Sequence, residues 1–250
     1  ATTAAQYVAL VVLLLLGYAG KRQGKGDVCL TSSPPTGKEL KPFLSAIGPL
    51  CFLSVSKNVC YLMLQSLSTT FSTATCAAHQ AMWSGWAILS FCGTPLEQCA
   101  QVFLPSYLRE DEKGARGGRK APQFIQVLAT VAGATGLVLG CVAGAIPFFP
   151  GFFTPDASLW PIMRSFAPFM FLSILTAPFT IALDGVMMAL GDVSYLLKCQ
   201  VANMAILASF LLYSHRAGFG ILSVWYGVCL FFGLRLAQDV ARVWLKGFIV

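Results

Sequence analysis

Asp184 is the residue whose type and surroundings most strongly suggest chemistry. It closes the run PFTIALD, 178–184, within the apolar stretch 158–190, where almost nothing is available to hydrate or pair a carboxylate. An acid inside a bilayer costs about 3 kcal/mol on insertion scales, and acids kept at such positions are functional by default. We therefore predict that Asp184 couples the movement of a cation to transport. The alternative is a helix-packing acid that is paired with a neighbour.

Three further ionisable residues lie in or near apolar blocks. Lys57 is predicted to counter an acid, to contact an anionic substrate or to extend toward the membrane surface. Glu97, two residues after Pro95, either extends to the interface or lines a polar cavity. We interpret His79 as a histidine at a helix end, with its ring nitrogens hydrogen-bonded, in preference to a proton relay.

The composition indicates a membrane protein. The chain has 250 residues, of which 56% are hydrophobic and 11% are charged, whereas soluble domains average roughly 25% charged residues. Prolines and glycines separate apolar blocks with few charges that are long enough for helices that span a bilayer, and no alternating β-pattern persists. We predict seven such blocks: 1–18, 43–70, 75–104, 122–149, 158–190, 193–213 and 218–245.

The basic residues between the blocks predict the topology. Loops 19–41 and 109–120 each carry five Lys or Arg, and Lys198, Arg242 and Lys246 lie on the same side if there are seven spans. By the positive-inside rule this is the cytoplasmic or stromal side. Segment 19–41, rich in Gly, Pro and Ser, is predicted to be a linker. Segment 109–120 is interpreted as a solvated turn in preference to a patch that binds phosphate or lipid headgroups.

Several function classes are disfavoured by the sequence. The net charge of +7 lies in short loops, which argues against a nucleic-acid partner. The nine cysteines form no CxxC pair, and no metal is expected. Because the templates of soluble enzymes are absent, we predict that the chain is not an enzyme and needs no cofactor other than a coupling cation.

Two features of the blocks concern helix packing. Ala132, Gly136, Gly140 and Gly144 recur every four residues, which predicts a close helix–helix contact. Pro178 precedes Asp184 by six residues, and we hypothesise that a bend there directs the carboxylate into a cavity.

Two motifs resemble a known family. AAHQ (77–80) is followed by GTPLEQCAQVFLP (93–105), and together with Ser56-Lys57 and 178–192 they are similar to the multidrug and toxic compound extrusion (MATE) family. The plant and algal plastid branch is the most similar one. The likeness covers nearly the whole chain.

The resemblance implies an all-α integral membrane protein, half of a twelve-helix antiporter with two six-helix lobes and a substrate cavity between them. Residues 1–18 would then end the sixth helix of the first lobe, 19–41 would link the lobes, and 42–250 would form the second lobe of six helices. The chain is accordingly expected to be a fragment or a processed form. The resemblance also implies alternating access driven by H⁺ or Na⁺, and a chloroplast envelope location by analogy.

The resemblance also assigns roles to residues. Asp184 falls where the family has an acid in its tenth helix that is implicated in cation coupling, and Glu97 stands where relatives often have a small polar residue. Lys57 falls near a glutamate of other plant branches. We predict cation coupling by Asp184 and Glu97. The substrate cavity or its ion pair is predicted to contain Lys57, His79, Gln80, Gln98 and Gln101.

Two functions remain open from the sequence. One is an antiporter that exports small organic molecules across a lipid bilayer together with an N-terminal lobe. The alternative is a half-size membrane scaffold or subunit that transports nothing itself.

Overall fold

The computed structural model describes residues 37–112 and 119–247, and a few residues between 7 and 15. The predicted helix end 1–18 and linker 19–41 therefore lie largely outside the described residues, as does 113–118 of the second basic loop. By its contacts the chain divides into two compact units, residues 1–47 and 48–250. The hydrophobic cores and the candidate site lie in the second unit.

The described residues form helices and no strands. We number the α-helices in chain order, and short 3₁₀ turns lie between α4 and α5. The helices are α1 (Gly37–Ser68), α2 (Thr73–Phe91), α3 (Thr94–Glu112), α4 (Lys120–Ala145), α5 (Trp160–Ser165), α6 (Ala167–Ala189), α7 (Val193–Arg216) and α8 (Leu222–Leu245).

Four helical stretches among the described residues are long and apolar enough to cross a membrane. They are Leu40–Ser68, Lys120–Phe148, Ala167–Ala189 and Val193–Arg216. Large apolar side chains on their outer faces, such as Leu62, Val138 and Leu212, are more than half exposed, as expected for surfaces that contact lipid. The predicted class, an all-α integral membrane protein, is confirmed.

The predicted block 75–104 is two helices rather than one. Helix α2 ends at Phe91, and α3 begins at Thr94 and continues through Pro105 to Glu112. Pro95 fits the first turn of α3, where its missing N–H has no intrahelical partner to lose. Gly93 permits close approach at the break, since a Cβ there would lie 3.1 Å from the backbone of Pro178 in α6.

Helix α6 lies at the centre of the second unit and packs against α3, α4 and α8. Pro178 lies inside α6 without ending it. The contact with α4 uses the small residues identified in the sequence: Gly136, Gly140 and Gly144 face the backbone or side chains of Leu175 and Phe171. The predicted close helix–helix contact is confirmed.

Two hydrophobic cores lie at different heights in the bundle. One contains Phe166, Trp225 and Phe231, and the other contains Leu104, Ile125 and Leu183. Four helices contribute to both cores and carry buried polar residues between the two contributions. In α1, Ser56 lies between Leu53 and Cys60, and in α6, Thr180 lies between Ala177 and Ala182. In α7, Gln200 and Asn203 lie between Leu196 and Leu207, and in α8, Arg235 and Asp239 lie between Phe232 and Val243.

We predict that Gly136→Ala destabilises the protein by roughly 1–3 kcal/mol, because the added methyl group overpacks the α4–α6 contact. Gly133→Ala is the matched control in the same helix, since a Cβ there meets nothing within 4 Å. The measurement is thermal unfolding in detergent. Equal melting temperatures for the two variants would show that α4 and α6 do not touch at Gly136.

A second prediction concerns the turn between α6 and α7. Burial raises the pKa of Asp192, but hydrogen bonds from Lys246 and Arg242 outweigh it and bring the pKa below its ordinary range. Lys246 Nζ lies 2.6 Å and Arg242 Nε lies 3.0 Å from Asp192 Oδ2.

Folding lowers the pKa of Asp192, so its pairing with Lys246 and Arg242 stabilises the folded protein. This stabilisation is complete above the pKa of Asp192 in the unfolded chain, about 3.9, and is lost as the pH falls through the pKa in the folded protein. The wild type should exceed Asp192→Asn in stability by up to about 1 kcal/mol at pH 5–8. The difference should vanish in more acidic solution. A difference in melting temperature that persists unchanged to pH 2 would contradict this.

Candidate functional site

A cavity of about 270 Å³ opens among α1, α2, α3, α6 and α8. Aromatic side chains form much of its wall, and Trp86 is held in place by a 2.9 Å hydrogen bond from its Nε1 to Ser173 Oγ. Ionisable side chains form the remainder. The lining residues used below are Tyr61, Trp83, Trp86 and Phe232, together with Lys57, Glu97, Asp184 and Arg235.

Asp184 lies at the wall of this cavity with 3% of its surface exposed. Lys57 Nζ donates to Asp184 Oδ2 at 2.6 Å, and Arg235 forms a second ion pair with the same oxygen. The guanidinium of Arg235 also lies over the rings of Phe231 and Phe232, with its Cζ 5.2 Å and 5.7 Å from their centroids. The carboxylate that the sequence placed among apolar residues without a partner is therefore paired twice.

This arrangement decides between the roles that the sequence left open for Lys57. Of the three roles considered for Lys57, the structure places it as the counter-charge to an acid. Arg235 and Asp239 were missed, although they lie one helical turn apart in α8 after the uncharged run 222–234. The sequence could have identified both residues. Residues at i and i+4 share one helix face, and a charged pair on one face inside an apolar block predicts a charged partner on another helix.

Asp239 lies behind the ion pairs in a second, very small cavity of about 10 Å³. It is 2% exposed, and within the described part of the chain its Oδ2 has no hydrogen-bond partner. Two neighbours in the same cavity satisfy each other, since the amides of Asn203 and Gln238 exchange hydrogen bonds of 2.8 and 2.9 Å. Among the buried polar residues that lie between the two hydrophobic cores, which we call the polar layer, Asp239 is thus poorly supplied with hydrogen-bond partners.

Glu97 lines the large cavity, as one of its two predicted roles required. Its backbone lies against Gly185, where a Cβ would approach the Glu97 carbonyl oxygen to 2.6 Å. Gln101 Nε2 donates to Glu97 Oε1 at 3.4 Å and also lies 3.2 Å from Met188 Sδ. Gln98 is exposed and is not among the residues that line the cavity.

His79 and Gln80 lie away from the ion pairs. His79 is fully buried among Trp83, Phe166 and Trp225, with ring centroids 5.5–6.4 Å apart. Neither ring nitrogen has a partner among the described residues, so the expected satisfied helix-end histidine is not observed. Gln80 is exposed and donates to Gln65 Oε1 at 2.7 Å.

We predict that Asp184→Asn destabilises the protein by about 3–5 kcal/mol, because it removes the carboxylate that both Lys57 and Arg235 contact. Asp184→Asn/Lys57→Met should recover much of this loss, since Arg235 retains Asp239 one turn away. Asp156→Asn is the control, as Asp156 is an exposed loop carboxylate. Chemical denaturation in detergent gives the free energies of unfolding. A loss below 1 kcal/mol for Asp184→Asn would mean that the ion pairs do not hold the helices.

Comparison with known proteins finds two curated relatives. The chain is 30% identical over 246 residues to Protein DETOXIFICATION 47, chloroplastic, of Arabidopsis thaliana, which covers 95% of this chain and 43% of that protein. It is 25% identical over 218 residues to Protein DETOXIFICATION 45, chloroplastic, of the same plant, with 86% and 38% covered. The chain thus spans about two fifths of the length of these relatives. No family model and no solved structure matches it.

Proposed function

We propose that this chain, whose resemblance to the plastid branch of the multidrug and toxic compound extrusion family is confirmed by its two chloroplastic relatives, forms the second lobe of a cation-coupled antiporter. The complete protein would export small organic molecules by alternating access. It would exchange them for H⁺ or Na⁺, across a plastid membrane and together with an N-terminal lobe.

The observation that carries this proposal is the double ion pair of Asp184 at the wall of an aromatic cavity. A buried ion pair is no better for stability than apolar packing of the same volume. Its presence here is therefore better explained by a task that apolar residues cannot perform. Intramembrane ionisable clusters of this kind line ion and substrate paths.

The charge count of the cluster supports coupling to a single cation. The cavity wall brings Lys57 and Arg235 together with Asp184 and Glu97, and Asp239 adds a third carboxyl group. Two cations and three carboxylates leave one negative charge if all are ionised. A net charge is costly in a low-dielectric bundle, so binding of one H⁺ or Na⁺ would neutralise the cluster.

The aromatic wall is suited to bind the small organic molecule that would be exchanged for the cation. Tyr61, Trp83 and Trp86 pack edge to face or at a tilt, with centroids 4.7–6.3 Å apart. Such a wall offers apolar area while the ionisable groups fix orientation, which is the usual composition of a small-molecule site. Glu97, Lys57 and Arg235 would give the site both signs of charge.

The test is transport by the complete protein in proteoliposomes, under imposed pH or sodium gradients, with a panel of small organic acids and organic cations. We expect efflux of at least one class to follow one of the gradients. The charge-balanced Asp184→Asn/Lys57→Met variant should fold and lose that gradient dependence. Asp156→Asn should transport as the wild type does.

Two outcomes would count against the proposal. Gradient-driven efflux at the wild-type rate in the charge-balanced variant would make Asp184 a packing residue. The absence of gradient-driven efflux for every compound, in well-folded wild-type protein, would favour the scaffold or subunit over the antiporter.

A further inference from the structure

We propose that Asp239 carries the exchanging proton, and that Arg235 moves between Asp184 and Asp239 as that proton leaves and returns. This inference rests on the cation-coupled antiport proposed above. It names a residue of α8 that the sequence analysis did not identify, and it gives the ion pairs of Asp184 a second arrangement.

The first argument is the missing donor. The Lys57 and Arg235 hydrogen bonds both go to Asp184, and among the described residues none reaches Asp239 Oδ2. Since Asp239 is only 2% exposed, ionisation in this arrangement would leave the buried Oδ2 without a donor, which is strongly unfavourable. A proton on Asp239 removes the charge and supplies a donor.

The second argument compares the three carboxyl groups of the cluster. Asp184 already has two cationic partners, so it needs no proton. Glu97 borders the larger cavity and accepts a hydrogen bond from Gln101. Asp239 has neither advantage, although it lines the same small cavity as Asp184. Of the three carboxyl groups, Asp239 is therefore the one that protonation stabilises most.

The groups that face Asp239 come from four helices. Arg235 and Arg242 lie on its own helix, and Arg242 Nε already donates to Asp192. Lys57 and Asp184 are contributed by α1 and α6. From α7 come Tyr195, whose hydroxyl donates to the Gln238 carbonyl at 2.9 Å, and Cys199 in the same small cavity. Arg235 is the one positioned to serve both carboxylates, because it precedes Asp239 by one helical turn.

The size of the small cavity favours a proton over a metal ion. Its volume of about 10 Å³ is at the lower limit for a single water molecule. A hydrated sodium ion would require the surrounding helices to separate. Lys57, Asp184 and Arg235 line both this cavity and the large one, so a proton that enters from the large cavity reaches Asp239 past the ion pairs.

The step is balanced in charge and atoms. Asp239 releases its proton to water in the large cavity and becomes a carboxylate. Arg235 then pairs with Asp239, and Asp184 keeps Lys57 as its counter-charge. When a proton returns to Asp239, Arg235 returns to Asp184. Such a pair of arrangements is the two-state element that coupling by alternating access needs.

The test is infrared difference spectroscopy of the complete protein in liposomes during a pH titration, which needs no transported substrate. We expect the wild type to show the C=O stretching band of a protonated carboxylic acid, and this band should disappear as the pH rises. Asp239→Asn should abolish the titrating band. Glu97→Gln should retain it. In the charge-balanced Asp184→Asn/Lys57→Met variant, where Arg235 is free to pair with Asp239, the band should disappear at a lower pH than in the wild type.

A second measurement separates a proton carrier from a structural residue. Because asparagine imitates the protonated acid, Asp239→Asn should keep the wild-type melting temperature at neutral pH, in contrast to Asp184→Asn. If Asp239→Asn fails to fold, Asp239→Glu provides the spectroscopic test, since the band should shift in frequency when the carboxyl group changes from Asp to Glu.

The outcomes distinguish this inference from the proposed function. Loss of the band in Glu97→Gln instead, or an unchanged band in either Asp239 variant, overturns the role of Asp239 whatever the transport assays give. A band that vanishes in Asp239→Asn supports it even if no compound of the panel is exported. With a transported compound in hand, Asp239→Asn should still exchange it between the two sides but lose its response to a pH gradient. A response to sodium alone would also overturn the inference.

Discussion

The pairing of one buried carboxylate with two cations is the constraint on which the described bundle depends. Asp184 in α6 accepts from Lys57 of α1 and Arg235 of α8, so a single oxygen holds three helices in register. Each charge would be very costly alone in an apolar environment, and together they are tolerable. The helices can separate at this level only if another charge or water replaces the partner that is lost.

Glycines allow two neighbouring helices to pack closely against α6. Those at 136, 140 and 144 let α4 lie directly against α6 at Phe171 and Leu175. On another side, Gly185 admits the α3 backbone at Glu97, next to Asp184. This second close approach brings Glu97 to the cavity wall.

The cluster has more carboxyl groups than cations, and among the described residues the buried Oδ2 of Asp239 has no donor. This imbalance distinguishes it from a purely structural salt bridge, in which each buried charge would find a partner. Arg235 pairs with Asp184 of α6 and lies one helical turn before Asp239 in α8, which gives the proposed switch its two arrangements.

The sequence by itself determined the class of protein, most of the long helices and the small-residue contact of α4. These depend on composition and on spacing along one helix, which a single chain segment displays. It also identified Asp184 and Lys57 as unusual, because a charge inside an apolar run is costly wherever the run folds. Only the tertiary structure decided that the two are partners, that α2 and α3 break at Gly93, and that Arg235 and Asp239 complete the cluster. These features depend on which helix faces are brought together. The spacing of apolar and polar residues along one helix does not show which helix packs against it.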